Sequence, residues 1–285
     1  MFYGLAAALG WGFADLTTAI SARRIGSLLT NAVAQSAGLV ALAGLMLAAG
    51  LPFRAPFPEA VFLVASGCLI GGVGYLMFYR ALELGPIALV SPIVAAYAAI
   101  TIVLAVVILH EALVGFALAG VVLTLVGVLL TSADVRVLRT GGGLMDGGIP
   151  LALGAMVLFG FGAFFLGRYS QPLGWSSAVL LARGGIALGV LVAAAIGRGG
   201  IPRHAGARNL GIAVAVGLGD VAGMAFFARG SEVGQVSVTS AASAAFILIP
   251  VIGGLMLFKE RPAPNQILGI VVLGAGLVML GLGGG

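Results

Sequence analysis

Three ionisable residues lie in the middle of long apolar runs: Asp15, Arg183 and Asp220. If these runs cross a bilayer, each charge costs about 2.5–3.5 kcal/mol on insertion scales, so it normally belongs to an ion pair or a transport pathway. Asp15 has two interpretations. It could line a cavity and bind a proton or a cationic group, or it could be a hydrogen-bonded acid near a helix end, close to Thr17 and Thr18.

Arg183 and Asp220 are a candidate ion pair, because they lie at compatible depths on neighbouring antiparallel runs. The alternative is a functional role for Asp220 in substrate binding or coupling. A buried acid without a partner favours its protonated form, which suits proton coupling. A proton is therefore a candidate coupling ion.

Aromatic and hydroxyl side chains on the same runs could form the walls of a binding pocket. Aromatic walls would suit an apolar or aromatic substrate, with lipid-facing packing as the alternative. Serine and threonine in membrane helices most often bond to neighbouring helices or to their own backbone, which is the alternative for the hydroxyls. The candidate substrate-binding or coupling residues are Trp11, Asp15, Tyr75, Tyr79, Ser91, Tyr97, Asp220 and Ser240.

Two prolines share apolar runs with the candidate serines: Pro92 follows Ser91, and Pro250 lies in the run of Ser240. Proline removes a backbone donor and locally breaks a helix. We expect both prolines to act in gating, because a broken helix lets its two parts move separately.

The composition requires that a bilayer surrounds these runs. The chain has 285 residues, of which 61% are hydrophobic and 8% are charged, and its mean hydropathy is +1.21. Soluble domains are roughly 25% charged, so this inventory cannot make a soluble surface. Apolar runs predict an all-α membrane protein with about ten spans. We place the spans near 3–22, 28–49, 60–82, 86–109, 114–132, 149–168, 175–196, 209–229, 235–258 and 265–283.

Several functional classes find no support in the residues. The net charge of +5 comes from arginines scattered over the loops, without the basic stripe that nucleic-acid binding needs. The single cysteine, Cys68, excludes an intrachain disulfide and a multi-cysteine metal site. No HExxH, GxSxG or phosphate-loop pattern occurs. We therefore expect neither an enzyme nor a cofactor or metal.

The second half of the chain repeats the first. Residues 74–130 align without a gap with residues 223–279, at a constant offset of 149, and the matches include glycine, arginine and glutamate. Five spans in each half is an odd number, so the halves must enter the membrane from opposite sides. This predicts two inverted five-helix repeats, 1–132 and 149–285, joined by a loop at 133–148, around a central cavity.

Two sets of motifs resemble a known family. Residues 8–13 (ALGWGF) are similar to the opening of EamA-type members of the drug/metabolite transporter superfamily. Residues 109–113 (LHEAL), followed by Gly120 and Gly127, resemble the end of an EamA repeat. Residues 258–262 (FKERP), followed by Gly269 and Gly276, repeat that ending. His110 and Lys259 stand where glycine is usual in this family.

The resemblance, which is to bacterial amino acid and metabolite exporters, implies a multi-pass protein of the bacterial inner membrane that needs no cofactor. Spans 1, 3, 4, 6, 8 and 9 would line its central cavity, and a monomer would suffice because both halves lie in one chain. Family members place both termini in the cytoplasm. The arginine distribution over the loops favours both termini outside.

Three functions are compatible with these observations. The first is a secondary carrier that exports amino acids or related metabolites by alternating access. The second is an uptake carrier for a cationic nutrient such as a quaternary amine, with Asp15 and aromatic walls forming the cation site. The third is a membrane scaffold without transport, which would have no need of an inverted repeat.

Overall fold

The computed structural model describes residues 1–132, 148–196, 205–257 and 264–283, and within these ranges every regular element is a helix. The connecting loop expected at 133–148 lies outside the described residues, except for residue 148. The motif at 258–262 lies wholly outside them. The first half contains α1 (Phe2–Ile25), α2 (Ser27–Ala48), α3 (Phe57–Ser66), α4 (Val73–Leu84), α5 (Ile87–Ala95), α6 (Tyr97–Ile108) and α7 (Gly115–Ser132). The second half contains α8 (Ile149–Leu173), α9 (Trp175–Ile196), α10 (Ala207–Val233), α11 (Val236–Ser243), α12 (Leu248–Leu257) and α13 (Pro264–Gly283).

Eight helical stretches among the described residues are long and apolar enough to cross a membrane. Two of them are composite: α3 and α4 form one stretch, Phe57–Leu84, and α11 and α12 form another, Val236–Leu257. Two further apolar stretches, Gly115–Leu130 and Ile267–Leu280, are shorter. Large apolar side chains such as Leu47 and Phe57 are more than four-fifths exposed on the outside, where lipid can cover them.

Three of the stretches are interrupted. A π-helical turn, Gly67–Gly72, joins α3 to α4. Ala96 separates α5 from α6, and a 3-10 turn at Ala244–Ile247 separates α11 from α12. The last two interruptions lie at repeat-related positions, although Pro92 and Pro250 do not. Pro92 precedes the break in its stretch, whereas Pro250 follows the break in the other stretch. Because the two breaks correspond and the two prolines do not, the missing backbone donor of Pro92 does not explain the break at Ala96.

Two hairpins of the structure turn at glycine. Gly26 joins α1 to α2 with a φ of 83°, and Gly174 joins α8 to α9 with a φ of 82°. A backbone with positive φ strongly favours glycine, because it has no Cβ. His110 has a φ of 54° and is the non-glycine residue in this region among the described residues. This is the position at which the family resemblance leads us to expect glycine.

Helices from the two halves interleave. α1 packs along α10, and α2 packs against α9 and α10. α9 packs against α3 and the π-helical turn, while α8 packs against α4, α5 and α6. α1 also contacts α11 and α12. The core therefore lies between the halves rather than within either one.

α7 and α13 run antiparallel and touch through glycine. A Cβ on Gly276 would lie 2.5 Å from the backbone nitrogen of Thr124, and a Cβ on Gly127 would lie 2.6 Å from the Cα of Leu273. Backbone contact of this kind is a usual way to join membrane helices, because lipid is as apolar as leucine and burial alone provides little attraction between helices.

This contact predicts the effect of adding one methyl group at two glycines of α13. We expect Gly276→Ala to lower the free energy of unfolding by about 1–3 kcal/mol, because its Cβ overlaps the α7 backbone. Gly274→Ala is the control, since a Cβ there meets open space. Thermal unfolding of both purified variants in detergent measures the difference. Equal stability of the two would contradict the described crossing of α7 and α13.

Candidate functional site

A cavity of about 110 Å³ lies between the two halves, and most of its walls are apolar or aromatic. That space holds several water molecules or a small organic group. The cavity is lined by the helical stretches that correspond to the predicted spans 1, 3, 4, 6, 8 and 9. Helix α9, which corresponds to span 7, also contributes. The lining includes Trp11, Asp15, Tyr75, Phe78, Tyr97, Phe159, Asp220, Met224, Phe227 and Phe246.

Asp15 is one of the two carboxylates that line this cavity. It is 6% exposed, and its Oδ2 accepts a hydrogen bond of 3.1 Å from Ser91 Oγ. Ser91 itself is fully buried in α5. Among the described residues no cation contacts Asp15, so they leave its negative charge uncompensated.

Asp220 is the second carboxylate, and its charge is compensated. Arg183 Nη1 forms an ion pair with Asp220 Oδ2, and the hydroxyl of Tyr75 donates to both carboxylate oxygens at 2.8 and 3.0 Å. Arg183 is fully buried, and its Nη2 also donates to the carbonyl oxygens of Ala34 at 3.1 Å and Gly217 at 3.5 Å. The group links α2, α4, α9 and α10.

Aromatic side chains form two walls of the cavity. Trp11 lies one helical turn before Asp15 and contacts Phe227, with ring centroids 5.5 Å apart. It also meets Tyr97 edge-on at 6.2 Å, and Tyr97 stacks on Phe246 at 6.4 Å. On the other wall Phe159 contacts Tyr75 at 4.9 Å and Phe78 at 5.7 Å.

Three predicted site residues lie behind the cavity rather than on its surface. Tyr79 is buried, packs against Tyr75 at 5.9 Å and is hydrogen-bonded to Thr18. Ser91 reaches the cavity only through Asp15. Ser240 is buried in α11 near Tyr97, and its backbone carbonyl accepts a hydrogen bond from Ser243 Oγ. Neither helix periodicity nor residue type distinguishes these second-layer positions from the cavity surface.

The cavity residues absent from the prediction include Met224, Phe227 and Phe246. Each is related by the offset of 149 to a residue that also lines the cavity, namely Tyr75, Phe78 and Tyr97. The repeat therefore carried the signal that would have found them.

The acids at the helix ends have structural partners. Glu83 pairs with Arg80 at 2.9 Å and Glu232 with Arg229 at 2.7 Å. Glu111 accepts hydrogen bonds from the backbone nitrogens of Val236 at 2.7 Å and of Ser237 at 2.9 Å, at the start of α11. A carboxylate at this position satisfies the unpaired donors of a helix N-terminus.

Comparisons with known proteins relate the first half of the chain to a known family. The sequence model of the EamA-like transporter family matches residues 1–133. Residues 1–133 belong to the EamA-like transporter family. This unit contains Asp15 and Ser91, together with Trp11 and Tyr97 of the first aromatic wall. The family and the apolar helices support an integral, multi-pass membrane protein, and EamA family members are transporters rather than enzymes.

The fold of the whole chain has a solved counterpart. A structure titled "Crystal structure of protein" superposes with a TM-score of 0.75 at 19% identity, covering 99% of this chain and 97% of its own. Among curated proteins no sequence matches. The structural match extends the shared fold beyond the EamA-like unit to the second half.

The buried Arg183–Asp220 pair predicts the outcome of removing one charge. We expect Asp220→Asn to destabilise the protein by about 3–5 kcal/mol, because the Arg183 guanidinium then stays buried without its counter-ion. Removing both charges in Arg183→Met/Asp220→Asn should restore most of that loss. Thermal unfolding of the purified variants in detergent tests this. A double variant no more stable than Asp220→Asn would show that the pair is not the source of the loss.

Proposed function

We propose that this EamA-like protein is a secondary carrier that moves small metabolites across the membrane by alternating access, with the cavity beside Asp15 as the substrate site. The observation that carries the proposal is the position of the cavity between the two halves. Repeat-related residues of both halves line it, and Tyr97 and Phe246 are in direct stacking contact. Substrate sites of carriers built from repeats lie at such an interface.

The packing supports two inverted repeats, 1–132 and 149–285. The repeat offset relates Thr124 to Leu273 and Gly127 to Gly276. The structure has a contact of Gly276 with Thr124 and a contact of Gly127 with Leu273, so exchanging the halves exchanges the two contacts. Such reciprocity is the property of a two-fold axis. Because α7 and α13 run antiparallel, this axis relates helices of opposite direction.

The helix pairs follow the same exchange. Contacts of α1 with α10 correspond to contacts of α8 with α4, and contacts of α2 with α10 correspond to contacts of α9 with α3 and the π-helical turn. Contacts of α8 with α5 and α6 correspond to those of α1 with α11 and α12. A scaffold without transport gains nothing from an exchangeable arrangement around a cavity, so a carrier is the better account.

The cavity favours the cationic-nutrient alternative over amino acid export. An amino acid needs a partner for its carboxylate, and Arg183, the described cation nearest the site, is already bound to Asp220 and to two carbonyls. Asp15 offers a negative charge among aromatic rings. Both halves lie in one chain, so a monomer suffices for this mechanism.

Asp15 is predicted to be the acid on which transport depends. We expect Asp15→Asn to abolish transport in proteoliposomes, or to uncouple it from the proton gradient, while expression and thermal stability stay near those of the parent. Glu83→Gln is the control, because Glu83 lies at a helix end in an ion pair with Arg80. Normal transport by Asp15→Asn from mildly acidic to mildly alkaline pH would rule out a proton or cation role for this residue.

The broken stretches α5–α6 and α11–α12 are the proposed gates, with Pro92 and Pro250 helping them to bend. Alternating access in an inverted repeat exchanges the states of paired elements. In a Cys68→Ala background, single cysteines at Ser91 and Ser240 should therefore respond to substrate in opposite directions, one gaining and one losing reactivity with a thiol reagent. The same cysteines without substrate give the baseline. Parallel changes at both positions would falsify the exchange.

A further inference from the structure

The cavity carries one net negative charge in its empty, ionised state. Its described lining contains two carboxylates, Asp15 and Asp220, and no lysine or arginine. Arg183 neutralises Asp220 from behind the cavity wall. Asp15 receives one neutral hydrogen bond, from Ser91, among the described residues. A cationic ligand would cancel the remaining charge, whereas an anionic ligand would double it.

Few polar groups in the lining are free to bind a ligand. The hydroxyl of Tyr75 is bonded to Asp220, and the hydroxyl of Tyr97 is bonded to Ser243 Oγ at 2.8 Å. Ser66 Oγ donates to the carbonyl oxygen of Leu63 at 3.3 Å. A primary ammonium brings three N–H donors, and any donor left unpaired in such a site costs free energy. A tertiary ammonium brings one donor, and a quaternary ammonium brings none.

The rest of the surface suits an alkylated cation. Trp11, Tyr97, Phe227 and Phe246 surround the same space as Asp15, and aromatic rings attract cations that carry little hydration. Alkyl groups on the nitrogen would also cover apolar surface of the cavity.

We infer that the cavity binds a monovalent tertiary or quaternary ammonium compound with a small apolar or aromatic body, its nitrogen against Asp15 and Trp11. The inference rests on the proposed function, since it takes this cavity as the substrate site. It adds the chemical class of the substrate: a highly alkylated amine, in preference to a primary amine, an amino acid or a carboxylate.

The test measures binding with the intrinsic fluorescence of Trp11. The chain has two tryptophans, and Trp175, which does not line the cavity, is replaced in a Trp175→Phe parent. Six ligands share a benzyl body: benzyltrimethylammonium, N,N-dimethylbenzylamine, benzylamine, benzyl alcohol, phenylacetate and phenylalanine. We expect the first two to bind at least about tenfold more tightly than benzyl alcohol, a difference of about 1.4 kcal/mol. Benzylamine should bind more weakly than its dimethyl analogue, and phenylacetate weakest.

Two variants show whether Asp15 sets this order. Asp15→Asn should remove the preference for the ammonium compounds over benzyl alcohol, and Asp15→Glu should retain it; thermal unfolding shows that both variants are folded. Tighter binding of phenylalanine or phenylacetate, no binding by any of the six, or an unchanged preference in Asp15→Asn would each overturn the inference. The cysteine reactivity test at Ser91 and Ser240 can be made with any compound that the protein transports, whatever its charge. The carrier proposal can therefore stand when the ammonium inference fails.

Discussion

The arrangement of the core depends on how the buried charge of Arg183 is satisfied. This guanidinium is fully buried, so it must find its counter-ion and hydrogen bonds inside the protein. Asp220 supplies the charge to Nη1, and the carbonyl oxygens of Ala34 and Gly217 accept from Nη2. These partners lie on α10 and α2, and Tyr75 adds α4 through Asp220. One side chain of α9 thereby links α2, α4, α9 and α10, and the last three of these helices line the cavity. Arg183 also neutralises Asp220, one of the two cavity acids, which leaves Asp15 as the charge available to a ligand.

Two of the helix crossings depend on backbone contact at glycine rather than on apolar burial. Lipid competes equally well for apolar side chains, so close approach of backbones is needed for specific association. Glycines provide it where α7 crosses α13 and where α9 crosses the π-helical turn Gly67–Gly72. Contacts of this type leave little side-chain interdigitation to break, which suits surfaces that must rearrange during an alternating-access cycle.

Two kinds of feature could be predicted from the sequence: the internal repeat and the few charged residues within the apolar runs. Intramembrane acids are few, so Asp15 and Asp220 stand out without a structure, and so does the offset of 149. Which second-layer residue supports which surface residue was not predictable. Tyr79 and Tyr75 have the same chemistry one turn apart, and only the packing of α4 against α8 and α9 decides that Tyr75 reaches Asp220. Phe227 and Phe246 were missed because an apolar side chain in an apolar chain carries no signal of its own. From the sequence, helix breaks were expected at Pro92 and Pro250, whereas the breaks lie at Ala96 and Ala244–Ile247, at positions that follow the repeat.

In the proposed mechanism, the helix contacts that correspond between the two halves and the charges that do not correspond have different consequences. Exchangeable contacts make the two end states of the cycle similar in packing energy, so a small interaction free energy can select between them. The charges are not exchangeable, because the position of the second half that corresponds to Asp15 is a phenylalanine. This is Phe164 at the offset of 149, and the next residue, Phe165, is a phenylalanine too. Ser91 bonds to Asp15, while its repeat partner Ser240 has no equivalent acid opposite it. A cation or proton that binds Asp15 therefore acts on the α5–α6 gate through a side-chain hydrogen bond. It acts on the α11–α12 gate through helix packing and aromatic contacts alone, namely those of α1 with α11 and α12 and that of Tyr97 with Phe246. The ligand thus has different interactions with the two gates, which is the condition for it to shift the equilibrium between the two states.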